Sequence, residues 1–461
     1  MGLPFTRGAE TSVARRRVAV VGSGIAGLTA AYLLQRRYDV LLFEAEDRLG
    51  GHAHTHEVPG SLGGTVAIDS GFIVHNERTY PNLLRLFAEL GVATQDTDMS
   101  MSVRCAGCGL EYAGAKGPRG LFARPGSLVR SDFPALPFLR MLGEVKRFHR
   151  DARRLLREDS QSAAGTGPGA SGEPTLGRFL DRGRYSRFFT DHFMVPLVSA
   201  VWSTGPELAL RYPAGYLFRF LAHHGMLAVT GSPQWRTVSG GSRTYVERAI
   251  KNLTAVHVST PVQAVQRGLD HVLLRDAAGE RHRVDSVVIA THSDQALRLL
   301  DDATPAERAV LGAIRYSHNE TVLHTDASVL PRSAAARSSW NYLIPSCAAG
   351  SRRGPRRDCG PERTAGHAMV SYHMNRLHRL QEPTDYVVSM NTAGLVDPRT
   401  VLARMQYEHP VYTPESVAAQ ARLPELNSAT TAFAGAYHGW GFHEDGCASG
   451  VAAAAALGVT W

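Results

Sequence analysis

Residues 18–56 read VAVVGSGIAGLTAAYLLQRRYDVLLFEAEDRLGGHAHTH, and this stretch decides the fold. It opens with a short apolar run that ends in glycines, which predicts a buried strand, and continues with apolar residues at helical spacing. A second apolar run, DVLLFEAE, follows at residues 39–46. Together these segments predict a strand–helix–strand unit with Gly22 in the tight turn.

The glycines of this turn have the G-x-G-x-x-G spacing of a dinucleotide site. Gly22 allows the turn, Gly24 lets a pyrophosphate approach the backbone, and Gly27 lets the helix pack closely on the strand. The first helical amides, including those of Ile25 and Ala26, would face the phosphates. Glu44 ends the second strand about twenty residues later, where an acid binds ribose hydroxyls and disfavours a ribose phosphate. We therefore expect a dinucleotide other than NADP.

The residues after Glu44 distinguish FAD from NAD. Glu44-x-x-x-Arg48-Leu49-Gly50-Gly51 resembles the continuation of this motif in the flavin-containing amine oxidase superfamily. In that superfamily the arginine and the glycine pair line the path of the pyrophosphate and ribityl chain, which a plain NAD site does not need. The resemblance implies FAD as the cofactor.

Three further segments carry the same resemblance. They are VSGGSRTYVERA (238–249), SVVIATH (286–292) and FAGAYHGWGFHEDGCASGVAAAAAL (433–457). The resemblance implies that Gly446 begins a helix whose amides face the flavin. One departure is that Ala436 and Tyr437 follow Gly435, where the superfamily usually has an acid. The further residues that we expect to contact FAD are Ala45, His52, Val262, Ala290, Thr291, Gly435, Glu444 and Asp445.

Longer segments resemble one branch of the superfamily. AIDSGFIVHNERTYPNLLRLFAELGV (67–92), PQWRTVSGGSRTYVE (233–247) and GWGFHEDG (439–446) are similar to bacterial FAD-dependent oxidoreductases related to the N-terminal region of plant cyclopropane fatty acid synthases. This resemblance implies desaturation or dehydrogenation of a fatty acid or phospholipid acyl chain, with a cyclopropane synthase-like methyltransferase as a partner. The alternatives are an amine or other small-substrate oxidase, and a non-catalytic flavin-binding partner of a lipid methyltransferase.

Three residues are the candidates for chemistry beside the flavin. His75 follows a segment at which the superfamily's chain returns past the cofactor, so that its imidazole could reach the substrate. Trp440 and His443 lie in the closing segment, where an aromatic ring often forms a wall of the flavin site. A histidine is the side chain most often used to transfer protons.

The order of strand-like and helix-like segments predicts the domain organisation. We expect an α/β fold with a Rossmann-like FAD-binding domain written in three pieces, residues 16–75, 232–311 and 425–461. An α+β substrate domain would comprise residues 76–231, read as mostly helical, and 312–424, beginning with an antiparallel meander. Residues 1–15 would form a flexible tail, and the composition of 158–174 predicts a flexible linker.

Composition limits the remaining function classes. The chain has 461 residues and a net charge of +8, and it lacks recognised nucleic-acid motifs, so we expect no nucleic-acid partner. No run reaches the roughly 18 apolar residues of a membrane span. Arginine clusters at 146–158 and 350–363 would allow peripheral contact with an anionic membrane.

The cysteines predict a cytoplasmic protein without a metal. Five cysteines in a chain of this length do not make a disulfide scaffold and favour a reducing compartment. Cys105 and Cys108 form one C-x-x-C, in a segment that reads as a hairpin turn. Because no second C-x-x-C follows at zinc spacing, the sequence predicts no metal site.

Overall fold

The computed structural model describes residues 15–114, 128–130, 135–162, 173–227, 232–347 and 366–461. The predicted tail and the basic loop at 350–363 therefore lie outside the described residues, apart from Arg15. Its β-strands are β1 Arg17–Val21, β2 Asp39–Phe43, β3 Thr55–Pro59, β4 Thr65–Asp69, β5 His75–Asn76, β6 Thr94–Asp96, β7 Met101–Cys105, β8 Glu111–Ala113, β9 Leu128–Arg130, β10 Trp235–Val238, β11 Ala255–His257, β12 Val262–Arg267, β13 Val272–Asp276, β14 Arg281–Val284, β15 Ser286–Ile289, β16 Arg315–His324, β17 Trp340–Ile344, β18 Val370–His373, β19 Val387–Met390, β20 Val401–Val411 and β21 Thr431–Phe433. Its α-helices are α1 Ile25–Leu34, α2 Pro81–Leu90, α3 Ala135–Ser162, α4 Leu176–Arg182, α5 Arg187–Phe189, α6 Val195–Trp202, α7 Pro206–Arg211, α8 Ala214–His223, α9 Arg243–Ile250, α10 Ser293–Leu299, α11 Pro305–Leu311, α12 Met374–Leu377, α13 Pro414–Gln420 and α14 His443–Ala456.

A five-stranded parallel sheet forms one half of the molecule. Its strand order is β11-β2-β1-β15-β21, so strands from both ends of the chain lie side by side. β1 and β15 are almost entirely buried because helices or strands cover both faces, which explains their continuous apolar sequence. A three-stranded antiparallel sheet, β12-β13-β14, follows β11 in the chain.

An eight-stranded sheet forms the other half, in the order β20-β16-β19-β18-β17-β7-β8-β9. The pair β17 and β7 is parallel, and the other adjacent pairs are antiparallel. β7 and β8 form the hairpin predicted around the C-x-x-C. The described part of residues 76–231 is mostly helical, as expected, and it also contributes the short strands β6 to β9.

Helix α3 extends further than the sequence suggested. The composition of 158–174 predicted a flexible linker, whereas the helix continues to Ser162. The linker residues that follow, 163–172, lie outside the described part of the chain. Within the described ranges, no helix combines the length and the apolar character needed to cross a membrane.

Helices α1 and α14 join the two ends of the chain. Gly446 and Gly450 of α14 face α1: a Cβ at Gly446 would lie 2.6 Å from Cγ2 of Ile25, and one at Gly450 would overlap the carbonyl oxygen of Ala26. The backbones approach this closely because neither glycine carries a side chain. The first and the last helix consequently hold the two predicted glycine segments beside each other.

Candidate functional site

One cavity of about 760 Å³ is lined by both halves of the molecule. The parallel sheet contributes the ends of β1, β2 and β15, and the eight-stranded sheet contributes β17 to β20. The residues predicted to contact a cofactor or substrate that line this cavity are Gly22, Gly24, Ile25, Ala26, Glu44, Ala45, Arg48, Gly51, His52, Val262, Ala290, Thr291, Gly435 and His443. The first turn and the closing segment thus contribute to a single site.

The three glycines of the first turn have separate roles. Gly22 has a φ of +100°, and a Cβ there would lie 2.7 Å from the Ala290 carbonyl oxygen. Gly24 has an ordinary φ of −63° and has nothing within 4 Å of the position of a Cβ, which would project into the cavity. A Cβ at Gly27 would overlap the Gly22 carbonyl oxygen, so Gly27 permits the packing of α1 on β1 and does not line the cavity.

Glu44 is held at the end of β2 by the turn itself. Its Oε2 accepts hydrogen bonds from the backbone N–H of Ser23 at 2.9 Å and from the Ser23 hydroxyl at 2.5 Å. The hydroxyl oxygen of Ser23 accepts in turn from the Gly50 N–H at 3.0 Å. Ser23 was not predicted from the sequence, yet it links the glycine turn, the acid and the second glycine pair. Gly50 itself does not line the cavity.

The start of α1 offers backbone donors to an anion. Gly24 precedes the helix and has no side chain to cap it, so the amides of Ile25, Ala26 and Gly27 have no capping side chain. Arg48 lines the same part of the cavity, and its guanidinium donates to the Gly51 carbonyl at 2.8 Å. A helix N-terminus beside an arginine is suited to a pyrophosphate.

Two buried polar groups on the cavity wall also fit a polar ligand. Neither His52 Nε2 nor the Tyr437 hydroxyl has a hydrogen-bond partner among the described residues. Buried polar atoms normally have partners, so such atoms mark positions where a bound molecule would supply them. Tyr437 follows Gly435 and Ala436, where the superfamily usually has an acid. The donors, acceptors and open glycine backbone therefore fit a dinucleotide.

Comparison with known proteins identifies the dinucleotide. Residues 25–326 match the family described as flavin containing amine oxidoreductase. The chain belongs to this family. The membership confirms FAD as the cofactor, the amine oxidase-type fold and the prediction of an FAD-dependent oxidoreductase.

Individual relatives differ in what they act on. Coproporphyrinogen III oxidase of Mycobacterium tuberculosis is 25% identical over 313 residues, which are 64% of this chain and 63% of that protein. Cyclohexylamine oxidase from Brevibacterium oxydans IH-35A has a TM-score of 0.66 at 17% identity, covering 96% of this chain and 99% of its own. The CLA-producing fatty acid isomerase from P. acnes has a TM-score of 0.59 at 15% identity, covering 94% and 97%. The solved structures establish the fold of this flavoenzyme and not its substrate.

The closing segment approaches the flavin site differently from the prediction. Helix α14 begins at His443, three residues before Gly446. The Gly446 N–H already donates to the Phe442 carbonyl at 3.0 Å, so it is not available to a flavin. Gly446 instead packs on Ile25, and the cavity wall is formed by Gly441, Phe442 and His443.

Glu444 and Asp445 position backbone and do not line the cavity. Glu444 accepts from the backbone N–H groups of Asn82 and Leu83, both at 3.0 Å, and so caps the start of α2. Asp445 accepts from the Phe442 N–H at 2.9 Å, and burial raises its pKa to about 7. The two acids hold the loop that presents Phe442 and His443.

Trp440 and His443 have different positions relative to the cavity. The Trp440 ring does not line it but packs beside α8, against Phe220 and His223. Phe442 lines the cavity where the sequence suggested Trp440. His443 does line it, stacked on Phe72 with ring centroids 3.7 Å apart, and burial lowers its pKa to about 3. Its Nε2 is 2.9 Å from the hydroxyl of Tyr245, so this neutral histidine fixes the start of α14.

His75 is not brought to the cavity surface. Its side chain is fully buried on β5, with its ring near Phe72, Tyr80 and Phe87. Neither ring nitrogen has a hydrogen-bond partner among the described residues. Burial, and then the nearby positive charge of Arg236, lowers the pKa of His75 to about 4.

We expect His75→Phe to stabilise the protein and leave FAD bound. The substitution removes two unpartnered buried nitrogens, each of which costs roughly 1–3 kcal/mol. Between pH 6.5 and about 4 the unfolded chain protonates this histidine and the folded chain does not, so folding stability falls as the pH falls through that window. The variant should therefore show a shallower loss of stability on acidification in denaturant titrations. A catalytic His75 would instead reveal itself by slow flavin reduction in the variant.

Most residues that form the substrate-side wall of the cavity were not predicted from the sequence. The aromatic and sulfur-containing residues of this wall are Met99, Trp202, Phe220, Met226, Trp235, Trp340, Tyr372, Met390, Tyr407 and Phe442. On β18 the cavity is lined by Tyr372 and not by the adjacent His373. Arg236 of β10 does not line the cavity and pairs with Asp96 at 2.5 Å. Trp235 and Phe442 lie in segments that carry the family resemblance, but no local spacing marks the wall as a whole, because its residues come from many separate elements.

Proposed function

We propose that this flavoenzyme dehydrogenates the acyl chain of a fatty acid or phospholipid. The observation that carries the proposal is the apolar, aromatic wall contributed by α6, α8 and β17 to β19. Among the described lining residues, the carboxylates are Glu44, Glu46 and Glu408, all outside those elements. Burying each CH₂ of a chain against such a wall contributes about 0.8 kcal/mol.

The distribution of charge disfavours a cationic substrate. Glu408 lies on β20, the edge strand of the eight-stranded sheet, and it already contacts His292 at 3.1 Å and His318 at 2.7 Å. An ammonium group buried against α6 and α8 would lose hydration without gaining a carboxylate partner there. An uncharged acyl chain carries no charge whose hydration would be lost on the same burial.

His224 supplies a candidate proton acceptor on this wall. Its Nδ1 donates to the Phe220 carbonyl at 3.0 Å, which leaves Nε2 with the lone pair. Burial lowers its pKa to about 4, so the ring is neutral at pH 7. FAD bound in this cavity would supply a hydride acceptor, and His224 would take the proton that the substrate loses with the hydride.

We expect His224→Phe to slow reduction of the flavin by substrate about 100-fold while FAD stays bound. The phenylalanine keeps the ring that packs on Phe220 but removes the proton acceptor. His223→Phe is the matched control, since His223 is the exposed neighbour at the end of α8. Stopped-flow absorbance under anaerobic conditions measures both rates. Equal slowing in the two variants would exclude His224 as the base.

The substrate class is tested by anaerobic bleaching of the flavin. We expect phospholipid vesicles or free fatty acids to reduce it, and cyclohexylamine and putrescine to leave it oxidised.

The second candidate function is amine oxidation, favoured by the edge-to-face pair of Trp340 and Tyr372, whose ring centroids are 5.2 Å apart on the cavity wall. Bleaching by the amines alone would establish that alternative. If neither the lipids nor the amines bleach the flavin, the result would support the alternative function, a non-catalytic flavin-binding partner of a lipid methyltransferase.

Exposed residues of helix α3 support the proposal that the acyl-chain substrate reaches the enzyme from a membrane. Leu136 and Leu139 at its start are 76% and 59% exposed, and Arg150 and Arg154 further along are also exposed. Exposed apolar side chains and exposed cations on one helix suit an anionic bilayer surface. Reduction by anionic vesicles should therefore be faster than by neutral vesicles of the same acyl composition. The relationship to the cyclopropane synthase-associated branch is part of this proposal and predicts altered phospholipid acyl chains in cells that lack the gene.

A further inference from the structure

Four potential metal ligands from three parts of the chain meet beside the eight-stranded sheet. They are Cys105 and Cys108 of the β7–β8 hairpin, His192 in the π-helical turn Thr190–Met194, and Cys347 after β17. One ligand atom from each lies within 4.8 Å of the others. The sequence predicted no metal here because Cys347 and His192 are far from the C-x-x-C in the chain. Tertiary contacts bring them together.

We propose that Cys105, Cys108, His192 and Cys347 bind a structural zinc ion. Three thiolates and one imidazole are an established donor set for tetrahedral structural zinc. Zinc–sulfur bonds of about 2.3 Å and zinc–nitrogen bonds of about 2.0 Å place neighbouring tetrahedral ligands about 3.5–3.8 Å apart. The Sγ of Cys108 and the Nε2 of His192 are separated by 3.6 Å.

His192 is oriented as a ligand. Its Nδ1 lies 3.2 Å from the carbonyl oxygen of Phe188, to which it must donate, because a carbonyl only accepts. Nε2 consequently carries the lone pair and faces Cys108. A ring nitrogen that donates to a carbonyl while the other faces the metal is the usual second contact of a zinc-bound histidine.

The hairpin turn is shaped around the cluster. A Cβ at Gly107 would lie 2.6 Å from the backbone nitrogen of Cys347 and 3.2 Å from its Sγ, so the glycine allows the turn to reach that cysteine. The backbone N–H of Leu110 donates to the Cys108 sulfur, and that of Cys108 donates to the Cys105 sulfur.

The ion would brace the substrate-side wall. His192 lies one turn before α6, and the last residues of this helix, Ala200, Val201 and Trp202, line the cavity. The hairpin and the end of β17 belong to the sheet beneath it. A metal that links these segments would therefore hold α6 on the sheet, whatever the substrate of the flavoenzyme is.

Metal analysis of the FAD-loaded protein tests the proposal. The protein is produced without a metal-affinity tag in zinc-supplemented medium, and zinc, iron and FAD are each measured per chain. We expect about one zinc per FAD, with zinc X-ray absorption showing three sulfur neighbours at about 2.3 Å and one nitrogen at about 2.0 Å. A chain without stoichiometric zinc, before and after anaerobic reconstitution with reduced thiols, would overturn the proposal, as would stoichiometric iron or a Cys105–Cys108 disulfide.

Variants locate the ion. We expect Cys347→Ser and His192→Gln to bind zinc at least about tenfold more weakly while retaining FAD, and to melt at a lower temperature. Cys447→Ser is the matched control, because Cys447 is a buried cysteine of α14 that contacts Thr29 and is not part of the cluster. Equal zinc loss in the control would contradict the site. If a ligand variant does not fold, release of zinc from the wild type by a mercurial thiol reagent still measures whether thiols hold it.

Discussion

Gly24→Val should yield a folded protein that does not retain FAD. The backbone at Gly24 has φ −63° and ψ 172°, which valine adopts without strain, and no atom lies within 4 Å of the position of its Cβ. The isopropyl group would occupy the space in which the pyrophosphate meets the start of α1. We expect FAD affinity to fall about 100-fold or more, which corresponds to roughly 3 kcal/mol.

Absorbance and secondary structure together measure this outcome. The variant should elute colourless, keep the circular dichroism of the flavin-stripped wild type, and melt at the temperature of that stripped protein, since the loss is that of ligand stabilisation. Gly143→Val is the matched control: Gly143 is an exposed helical glycine that also has no atom within 4 Å of a Cβ, but it lies on α3. A yellow Gly24→Val protein would remove the first turn from the cofactor site.

Gly450→Ala should destabilise the protein and weaken FAD binding, although alanine is the better helix former. A Cβ at this position would overlap the Ala26 carbonyl oxygen and lie 2.9 Å from Cβ of Thr29, and backbone cannot move aside as a flexible side chain does. Overpacking of this kind costs roughly 1–3 kcal/mol or more. Because α1 carries the amides that face the cavity, its displacement by α14 also disturbs the phosphate site.

Gly143→Ala provides the opposite expectation. The same change on an exposed helical surface should increase the free energy of unfolding by up to about 1 kcal/mol through helix propensity alone. Denaturant titration of the FAD-loaded proteins compares the two substitutions directly. Stabilisation in both variants would show that α1 and α14 are not in close contact.

The first turn was predictable because its chemistry is local. Gly22, Gly24 and Glu44 are separated by one strand and one helix, and the lengths of these elements place all three at the same edge of a parallel sheet. The cofactor and the family followed from motifs of this kind. The role of Ser23 could not be predicted although this residue lies within the same motif. A serine hydroxyl can form hydrogen bonds with many partners, and its position in the sequence does not select one of them.

The closing segment was predictable in place but not in detail. Its position beside the first turn followed from the resemblance to amine oxidases. The roles of its residues depend on where α14 begins and on what faces each side of it. Gly446 packs on Ile25 and Trp440 on α8, while Phe442 and His443 form the wall.

The sequence by itself therefore determined the first strand–helix–strand unit and its dinucleotide turn, since these depend on residues close together in the chain, and the resemblance to amine oxidases supplied the identity of the cofactor. Only the tertiary structure decided which side chains surround the substrate, why His75 lies behind the wall, and how His192 and Cys347 reach the C-x-x-C. These groups come from elements separated by long stretches of chain. Their juxtaposition is set by how sheets and helices pack, and no local spacing in the sequence encodes it.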